Sequence, residues 1–249
     1  MNLRTSPILR FLLVSISRIL LDQQNPVFIN SSVNTMNKQP VALMNDEKEI
    51  LDVEYPIVEH FYTIQGEGAH SGRASYFIRT AGCDVNCWWC DVKESWEEEG
   101  HPVMKVSELV EVVKESGAPF VVITGGEPLM HDLFPLTKAL HSLGVQIHIE
   151  TSGSSPLSGE LDWITLSPKR FKKPTEEIFE FVDELKVVVL TNKDLAWAEE
   201  NAAKCPEGTT LLLQPEWDTP KSIPLIVEYV KEHPEWGISL QTHKFLKVP

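Results

Sequence analysis

The sequence predicts an α/β fold in which a parallel sheet closes, completely or in part, into a β/α barrel. From Tyr55 onward, apolar runs of strand length alternate with segments of helical period, and strands separated by helices pair in parallel. A chain of 249 residues has room for one barrel-like domain or two small ones, and for a proper core. Five of the apolar runs are followed by short polar motifs, which is where a parallel barrel gathers its active-site loops.

In chain order, the strand candidates are Ile57–Ile64, Ser75–Thr80, Phe120–Thr124, Val145–Ile149, Trp163–Leu166, Leu185–Leu190, Thr210–Leu213 and Ile238–Leu240. The helix candidates carry start and stop signals. Ser107 caps Glu108–Ser116, which Gly117 ends, and Asp132–Leu143 stops at Gly144. Thr191 or Asn192 opens Lys193–Ala203, and Thr219 opens Pro220–Glu232. Thr124-Gly125-Gly126-Glu127-Pro128 follows Phe120–Ile123, Glu150-Thr151-Ser152-Gly153 follows Val145–Ile149, and Ser167-Pro168-Lys169 follows Trp163–Leu166. Gln214-Pro215-Glu216-Trp217 follows Leu211–Leu213, and Gln241-Thr242-His243-Lys244 follows Ile238–Leu240. Polar motifs converging on one rim point to a functional site rather than to stability alone.

Residues 1–54 are of a different kind. Residues 1–21 carry Arg4, Arg10 and Arg18, no acidic residue, and the apolar run Phe11–Val14, as a targeting segment does. Against that, Arg18 interrupts the apolar stretch, no small-residue cleavage site follows, and the run is too short to span a bilayer. Residues 22–54 are polar, Asn-rich and aperiodic, and Met36 and Met44 are alternative starts. Residues 1–54 are therefore expected to form a disordered or targeting-like leader, and 55–249 the functional domain.

Apolar residues make up 42% and charged residues 23%, ordinary proportions for a globular protein. The formal net charge of -14 argues against a nucleic-acid or anionic-membrane surface, since both require clustered Lys and Arg. The expected partner is a small molecule, with no direct nucleic-acid contact and no membrane span. Of the four cysteines, three crowd into eight residues, which suits a metal or cluster site in a reducing, cytoplasmic compartment better than a disulfide framework.

Those three, Cys83, Cys87 and Cys90, have the spacing C-x3-C-x2-C. Three thiolates on one loop can hold three irons of a cubane cluster and leave the fourth open, whereas full thiolate ligation takes four cysteines. An open iron suits a cluster that docks a cofactor. The competing reading is a structural zinc, which needs a fourth ligand. Cys205, His70 and His101 are the candidates, none at paired spacing, and Cys205 reads as a helix-end thiol.

With Trp89 directly before the last cysteine, this loop resembles the hallmark of the radical S-adenosylmethionine superfamily. Gly125-Gly126-Glu127-Pro128 resembles its second signature, in which adjacent glycines let the main chain approach the cofactor closely. The resemblance implies a partial parallel β/α barrel of the radical S-adenosylmethionine type. It also implies a 4Fe-4S cluster on Cys83, Cys87 and Cys90, with S-adenosyl-L-methionine as cofactor. Within the superfamily, Thr63-Ile64-Gln65-Gly66-Glu67-Gly68, Arg79, Cys90-Asp91 and the later motifs through Pro249 resemble the 7-carboxy-7-deazaguanine synthases, over essentially Tyr55–Pro249. That family is a group of carbon–nitrogen lyases. They convert 6-carboxy-5,6,7,8-tetrahydropterin into 7-carboxy-7-deazaguanine with release of ammonia, on the way to queuosine in tRNA.

Carried over by position, the resemblance implies that Ile64, Gln65, Gly66 and Thr124 line the pterin. Arg79 would pair with its carboxylate as a bidentate guanidinium, and the Pro249 carboxylate would reach it. Trp89, Cys90, Asp91 and Gly126 would hold S-adenosylmethionine, together with Ser167, Pro168 and Lys169 and with Gln214, Pro215, Glu216 and Trp217. Glu67 is either a substrate contact or a solvated carboxylate, and Lys186 either a ligand or a strand-end charge. Glu150 and His243 are either proton carriers or structural hydrogen-bonding groups. Members commonly have Thr or Ser after the Cys-Asp pair, whose hydroxyl helps bind magnesium. Here Val92 has no side-chain oxygen, which excludes it as a magnesium ligand and weakens the expectation of Mg2+, although backbone, water and substrate oxygens can still hold the ion.

The family further implies a homodimer and a flavodoxin- or ferredoxin-like electron donor. A glycyl-radical activating enzyme shares the cysteine spacing and is the nearest alternative. An iron–sulfur electron carrier and a zinc-stapled binding module are others. Gln65–Gly68, Arg79 and the short C-terminal tail favour the small carboxylated substrate.

Overall fold

The computed structural model describes residues 47–249, so the expectation for residues 1–46 lies outside the described residues. The folded unit begins before Tyr55. Helix α1 (Glu47–Leu51) buries Ile50 in the core and leads into β1 (Glu54–Ile64). Residues 47–54, expected with the leader, belong to the domain; one helical turn is too short to show a period in sequence.

The remaining strands are β2 (Ala74–Thr80), β3 (Val103–Lys105), β4 (Phe120–Gly125), β5 (Gln146–Thr151) and β6 (Trp163–Leu166). They continue as β7 (Glu184–Val189), β8 (Thr210–Pro215) and β9 (Trp236–Ile238). All nine form one sheet in the order β3-β1-β2-β4-β5-β6-β7-β8-β9. β2 and β4 to β9 are parallel, and the two end strands are not joined, so the barrel is partial, as expected. β1 departs from the parallel pattern and pairs antiparallel with both β2 and β3. Residues 65–73 turn the chain straight back, too few for a crossover helix.

Helices α2 (Val106–Ser116), α3 (Phe134–His141), α4 (Asn192–Ala202) and α5 (Ser222–Glu232) lie between strands, and α6 (Thr242–Leu246) follows the last. Thr191 opens α4 as read from the sequence: its N–H and hydroxyl both donate to Asp194 Oδ2, at 2.8 and 3.0 Å. α2 starts one residue ahead of Ser107, and Glu108 accepts from the Lys105 N–H at 2.8 Å.

Strand alternation divides the molecule into two layers. On β5 and β7, Ile147, Ile149, Leu185, Val187 and Val189 join the apolar core beneath the helices. Their neighbours His148, Glu150, Glu184 and Lys186 line cavities on the other face. In β1 the register shifts between Ile57 and Glu59. Tyr55 and Ile57 therefore enter the helix-side core, while Glu59 and Phe61, of the same parity, line the principal cavity.

Candidate active site

The ends of the parallel strands, the β1–β2 loop and the C-terminal segment enclose a cavity of about 810 Å3. That is room for more than one small ligand. Cys83, Cys87, Trp89, Cys90 and Asp91 line it from the loop after β2, and Thr124 and Gly126 from the end of β4. Ser167 and Lys169 line it after β6, and Gln214 to Trp217 after β8. Ile64, Gln65, Gly66, Arg79 and Pro249 line it as well. Pro168 does not line the cavity; its carbonyl instead accepts from the Trp197 indole N–H at 3.4 Å, on the side facing α4.

The three thiols are half-buried on one loop. The base of that loop is fixed by backbone bonds: Gly82 N–H to Ser95 O at 2.8 Å, Cys83 N–H to Trp96 O at 3.0 Å, and Cys90 N–H to Cys87 O at 2.9 Å. A tetrahedral zinc would draw its sulfurs to about 3.8 Å of one another. Among the described residues, the trio whose ligand atoms all lie within 4.8 Å of one another is Glu199, His233 and Glu235, so the cysteine sulfurs do not converge on a single ion. A cubane, which spreads its thiolates over separate irons, fits this loop better. None of the proposed fourth zinc ligands reaches it. Cys205 bonds to Asn201 O at 3.4 Å, His101 to Glu94 O at 2.8 Å, and His70 packs among Phe120, His148 and Trp163. Burial pushes the Cys205 thiol up to about 11, the behaviour of an inert structural cysteine.

Lys169 is the cation of the cysteine side. Its Nζ donates to Ser167 O at 2.5 Å and Ser167 Oγ at 2.8 Å. Burial pulls its pKa down, while the Cys87 sulfur favours its charge. Burial likewise pushes the Cys87 thiol up, and the Lys169 ammonium opposes that shift. An ammonium held here compensates the negative charge that ligating thiolates bring.

The Gly125-Gly126-Glu127 turn is tied on both sides. A Cβ on Gly126 would overlap the Gly82 carbonyl, and the Glu127 N–H donates to that carbonyl at 2.8 Å. The glycine therefore brings backbone onto backbone and seats the cysteine loop against β4. Glu127 is buried, and its carboxylate is fully occupied. It accepts from Thr151 Oγ1 at 2.5 Å, Ser152 N at 2.8 Å, Ser152 Oγ at 2.5 Å and Leu129 N at 3.1 Å. Two motifs from successive strand ends thus form one rigid rim.

A second polar group of the cavity centres on Lys186, buried at 3% exposure, whose Nζ lies 2.5 Å from Glu67 Oε2 and 3.0 Å from Glu150 Oε2. Gln65 donates to Glu150 at 3.0 Å and Gln241 to Glu67 at 2.9 Å. Burial opposes ionisation of Glu67, but the Lys186 ammonium and the surrounding donors hold its carboxyl down at about 2. Burial also works against the Lys186 charge, and Glu150 and Glu67 raise its pKa in spite of it. Glu67 is therefore a contact of this network rather than a solvated carboxylate, and Lys186 is an inward charge rather than a strand-end one.

Arg79 Nε donates to Glu59 Oε1 at 2.8 Å across the β1–β2 pair, and no other hydrogen bond to its side chain forms among the described residues. Four of its five N–H donors remain for a ligand. Thr63 Oγ1 donates to a Pro249 oxygen at 3.2 Å, and Thr242 bonds to Gly66 O through N–H and hydroxyl at 2.8 and 2.9 Å. Lys244 reaches Asp91 Oδ2 at 2.8 Å. Sequence reasoning missed Glu59, Phe61 and Phe77, which also line the cavity. The rings of Phe61 and Phe77 stack with centroids 5.5 Å apart. The bulge in β1 conceals which of that strand's residues face inward.

The Radical SAM superfamily profile matches residues 77–173. A 7-carboxy-7-deazaguanine synthase from Synechocystis is 50% identical over 205 residues, covering 82% of this chain and 99% of the relative. One from Flavobacterium psychrophilum is 50% identical over 195 residues, covering 78% and 92%. The crystal structure of QueE from Escherichia coli aligns with a TM-score of 0.72 at 32% identity, over 80% of this chain and 99% of that one. With the thiol loop, the glycine turn and the buried carboxylate–lysine network all on one rim, the chain belongs to the 7-carboxy-7-deazaguanine synthase family of the radical S-adenosylmethionine superfamily.

Proposed function

We propose that this protein is a radical S-adenosylmethionine lyase that converts 6-carboxy-5,6,7,8-tetrahydropterin to 7-carboxy-7-deazaguanine with release of ammonia, feeding queuosine biosynthesis. The observation that carries this reading is one cavity lined both by a three-thiol loop and by the Gln65–Glu67–Lys186 network with Arg79. The residues present fit the implied cofactors. Cys83, Cys87 and Cys90 would hold a 4Fe-4S cluster, with Lys169 offsetting its charge. Trp89, Asp91, Gly126, Ser167, Lys169 and the Gln214–Trp217 segment would hold S-adenosylmethionine. When bound, these groups supply the one-electron chemistry that activates the substrate carbon–hydrogen bond.

The chain's own residues do the positioning. Glu67, kept ionised, accepts from the amino-bearing edge of a pterin, and the Gln65 amide offers both a donor and an acceptor beside it. The free N–H groups of Arg79 match a planar carboxylate. Ile64, Gly66 and Thr124 bound the ring, and Pro249 lines the same cavity. Phe61, Phe77 and Trp89 exclude water from the space between the two ligands. A magnesium ion is not fitted by the side chains at the expected place. Val92 has no oxygen, and the Asp91 carboxylate is already paired with Lys244. No step is assigned to that metal. The functional domain is 55–249 together with the α1 turn, a homodimer is the proposed assembly, and a flavodoxin- or ferredoxin-like protein is the proposed electron source.

The test is anaerobic turnover of reconstituted protein with S-adenosylmethionine, a reductant and the carboxylated tetrahydropterin. Appearance of the carboxylated deazapurine and ammonia is the expected result. Cofactor cleavage without that product would reject the substrate and reopen the activating-enzyme alternative.

A further inference from the structure

Beside the main cavity, sharing part of its wall, lies a second one of about 10 Å3, the room of about one water molecule. Gln65, Glu67 and Glu150 wall both cavities, and His148 and Thr165 complete the smaller together with His70, Trp163 and Glu184. Those last three residues each carry a buried polar atom without a protein partner: His70 Nε2, Trp163 Nε1 and Glu184 Oε1. Burial raises the Glu184 pKa, and Lys186, the Ala69 N–H and the nearby Trp163 indole oppose that shift, yet indole and carboxyl do not meet at hydrogen-bonding geometry. Three orphaned atoms around one water-sized space are the signature of an internal water site.

A single water can serve all three orphaned atoms. Arg73 Nη1 lies 2.5 Å from His70 Nδ1, and a guanidinium only donates, so Nδ1 accepts and the neutral ring carries its proton on Nε2. His70 Nε2–H and Trp163 Nε1–H are then two donors for the two lone pairs of a water, which donates one O–H to the Glu184 carboxylate Oε1 and keeps the second for the other oxygens lining the space, among them Thr165 and Glu150. The other Glu184 oxygen accepts from the Ala69 N–H at 2.9 Å, and a Cβ on Gly68, at φ 69°, would overlap this carboxyl. Gly68 also donates to Ser239 Oγ at 2.9 Å. The β1–β2 loop is thus fastened to β7 through Glu184 and to the segment after β9 through Ser239.

We propose that one internal water bound by His70, Trp163 and Glu184 fastens the Gln65–His70 loop to β6 and β7, and that Glu184 is a positioning residue for the ligand-binding edge of that loop. Only the identity of the positioned ligand rests on the pterin reading. Amide hydrogen exchange at Ala69 needs no ligand, so failure here is separable from failure there.

The experiment is a double-mutant cycle on Trp163→Phe and Glu184→Gln, read by Ala69 exchange and by KM against kcat for the carboxylated tetrahydropterin. Trp163→Phe keeps the ring packing and removes one donor. Glu184→Gln replaces the acceptor with an amide donor, crowding three donors onto two lone pairs. Each single change is expected to speed exchange and raise KM by about threefold to tenfold, with kcat little altered. The pair should be no worse than Glu184→Gln alone, because the amide takes the place of the missing indole donor. Multiplicative single effects, or unchanged exchange in both, would overturn the proposal. So would a high-resolution crystal structure in which the small cavity is dry.

Discussion

The two faces of β5 and β7 are both buried, yet they are built from opposite chemistry. Outward, toward the helices, stand Ile147, Ile149, Leu185, Val187 and Val189; inward stand His148, Glu150, Glu184 and Lys186. The outer face stabilises the fold by removing apolar area from water, at about 25 cal/mol per Å2. The inner face works against it, since each desolvated charge costs several kcal/mol before its partners offset that loss. Burial by itself therefore does not mark the core. What distinguishes the site is polar groups held dry and matched one to another, and β7, apolar on one side and carrying Glu184 and Lys186 beside Val188 on the other, displays both tasks within six residues.

Breaking the inner face at its extreme should have the largest effect. Cys87→Ala is expected to reduce bound iron and sulfide to near zero and abolish product formation, while the thermal midpoint of the metal-free protein hardly moves. Metal analysis beside calorimetry checks both halves. Next comes Lys186→Met, which leaves Glu67 and Glu150 facing each other without a cation. A loss of about 3–5 kcal/mol in denaturant unfolding is expected, together with impaired substrate binding. On the outer face Leu185→Ala should cost about 2–5 kcal/mol through the cavity it opens, yet leave cluster content and S-adenosylmethionine cleavage intact. If that variant lost its cluster as readily as its stability, the separation of faces would fail.

Acid titration sharpens the contrast with a smaller effect. Glu67 titrates at about 2 in the folded protein, below its ordinary value of 4.5, because Lys186 and its donors outweigh burial. Its contribution to stability is therefore full above about pH 4.5 and fades as pH falls toward 2. Unfolding free energies measured across that window should fall more steeply in the parent protein than in Glu67→Gln. Parallel curves would mean that Glu67 is not held by the lysine.

Much of this architecture was legible in the sequence because the motifs sit directly after apolar runs. Trp163–Leu166 was bounded correctly, and all eight expected strands exist, though the last is shifted to Trp236–Ile238. Its anchor, Trp236, is nearly inaccessible, whereas Leu240 is exposed, a difference that depends on partner strand β8 and not on local composition. The three-residue β3 and the single-turn helices α1 and α6 are too short to carry a period. The bulge in β1 reversed the parity on which any inward assignment of Glu59 and Phe61 would rely. The glycine turn was found, but its reason lies in a carbonyl more than forty residues away along the chain, which no local reading reveals. Lys186 stayed ambiguous for the same cause: only the fold brings Glu67 and Glu150 to it.

The most direct test of the whole account is electron paramagnetic resonance of the anaerobically reconstituted, reduced protein, recorded with and without S-adenosylmethionine. A three-cysteine cluster with one open iron predicts a reduced-cluster signal that changes when the cofactor is added. A signal that is identical in both spectra, or absent from protein shown to contain iron and sulfide, would contradict it.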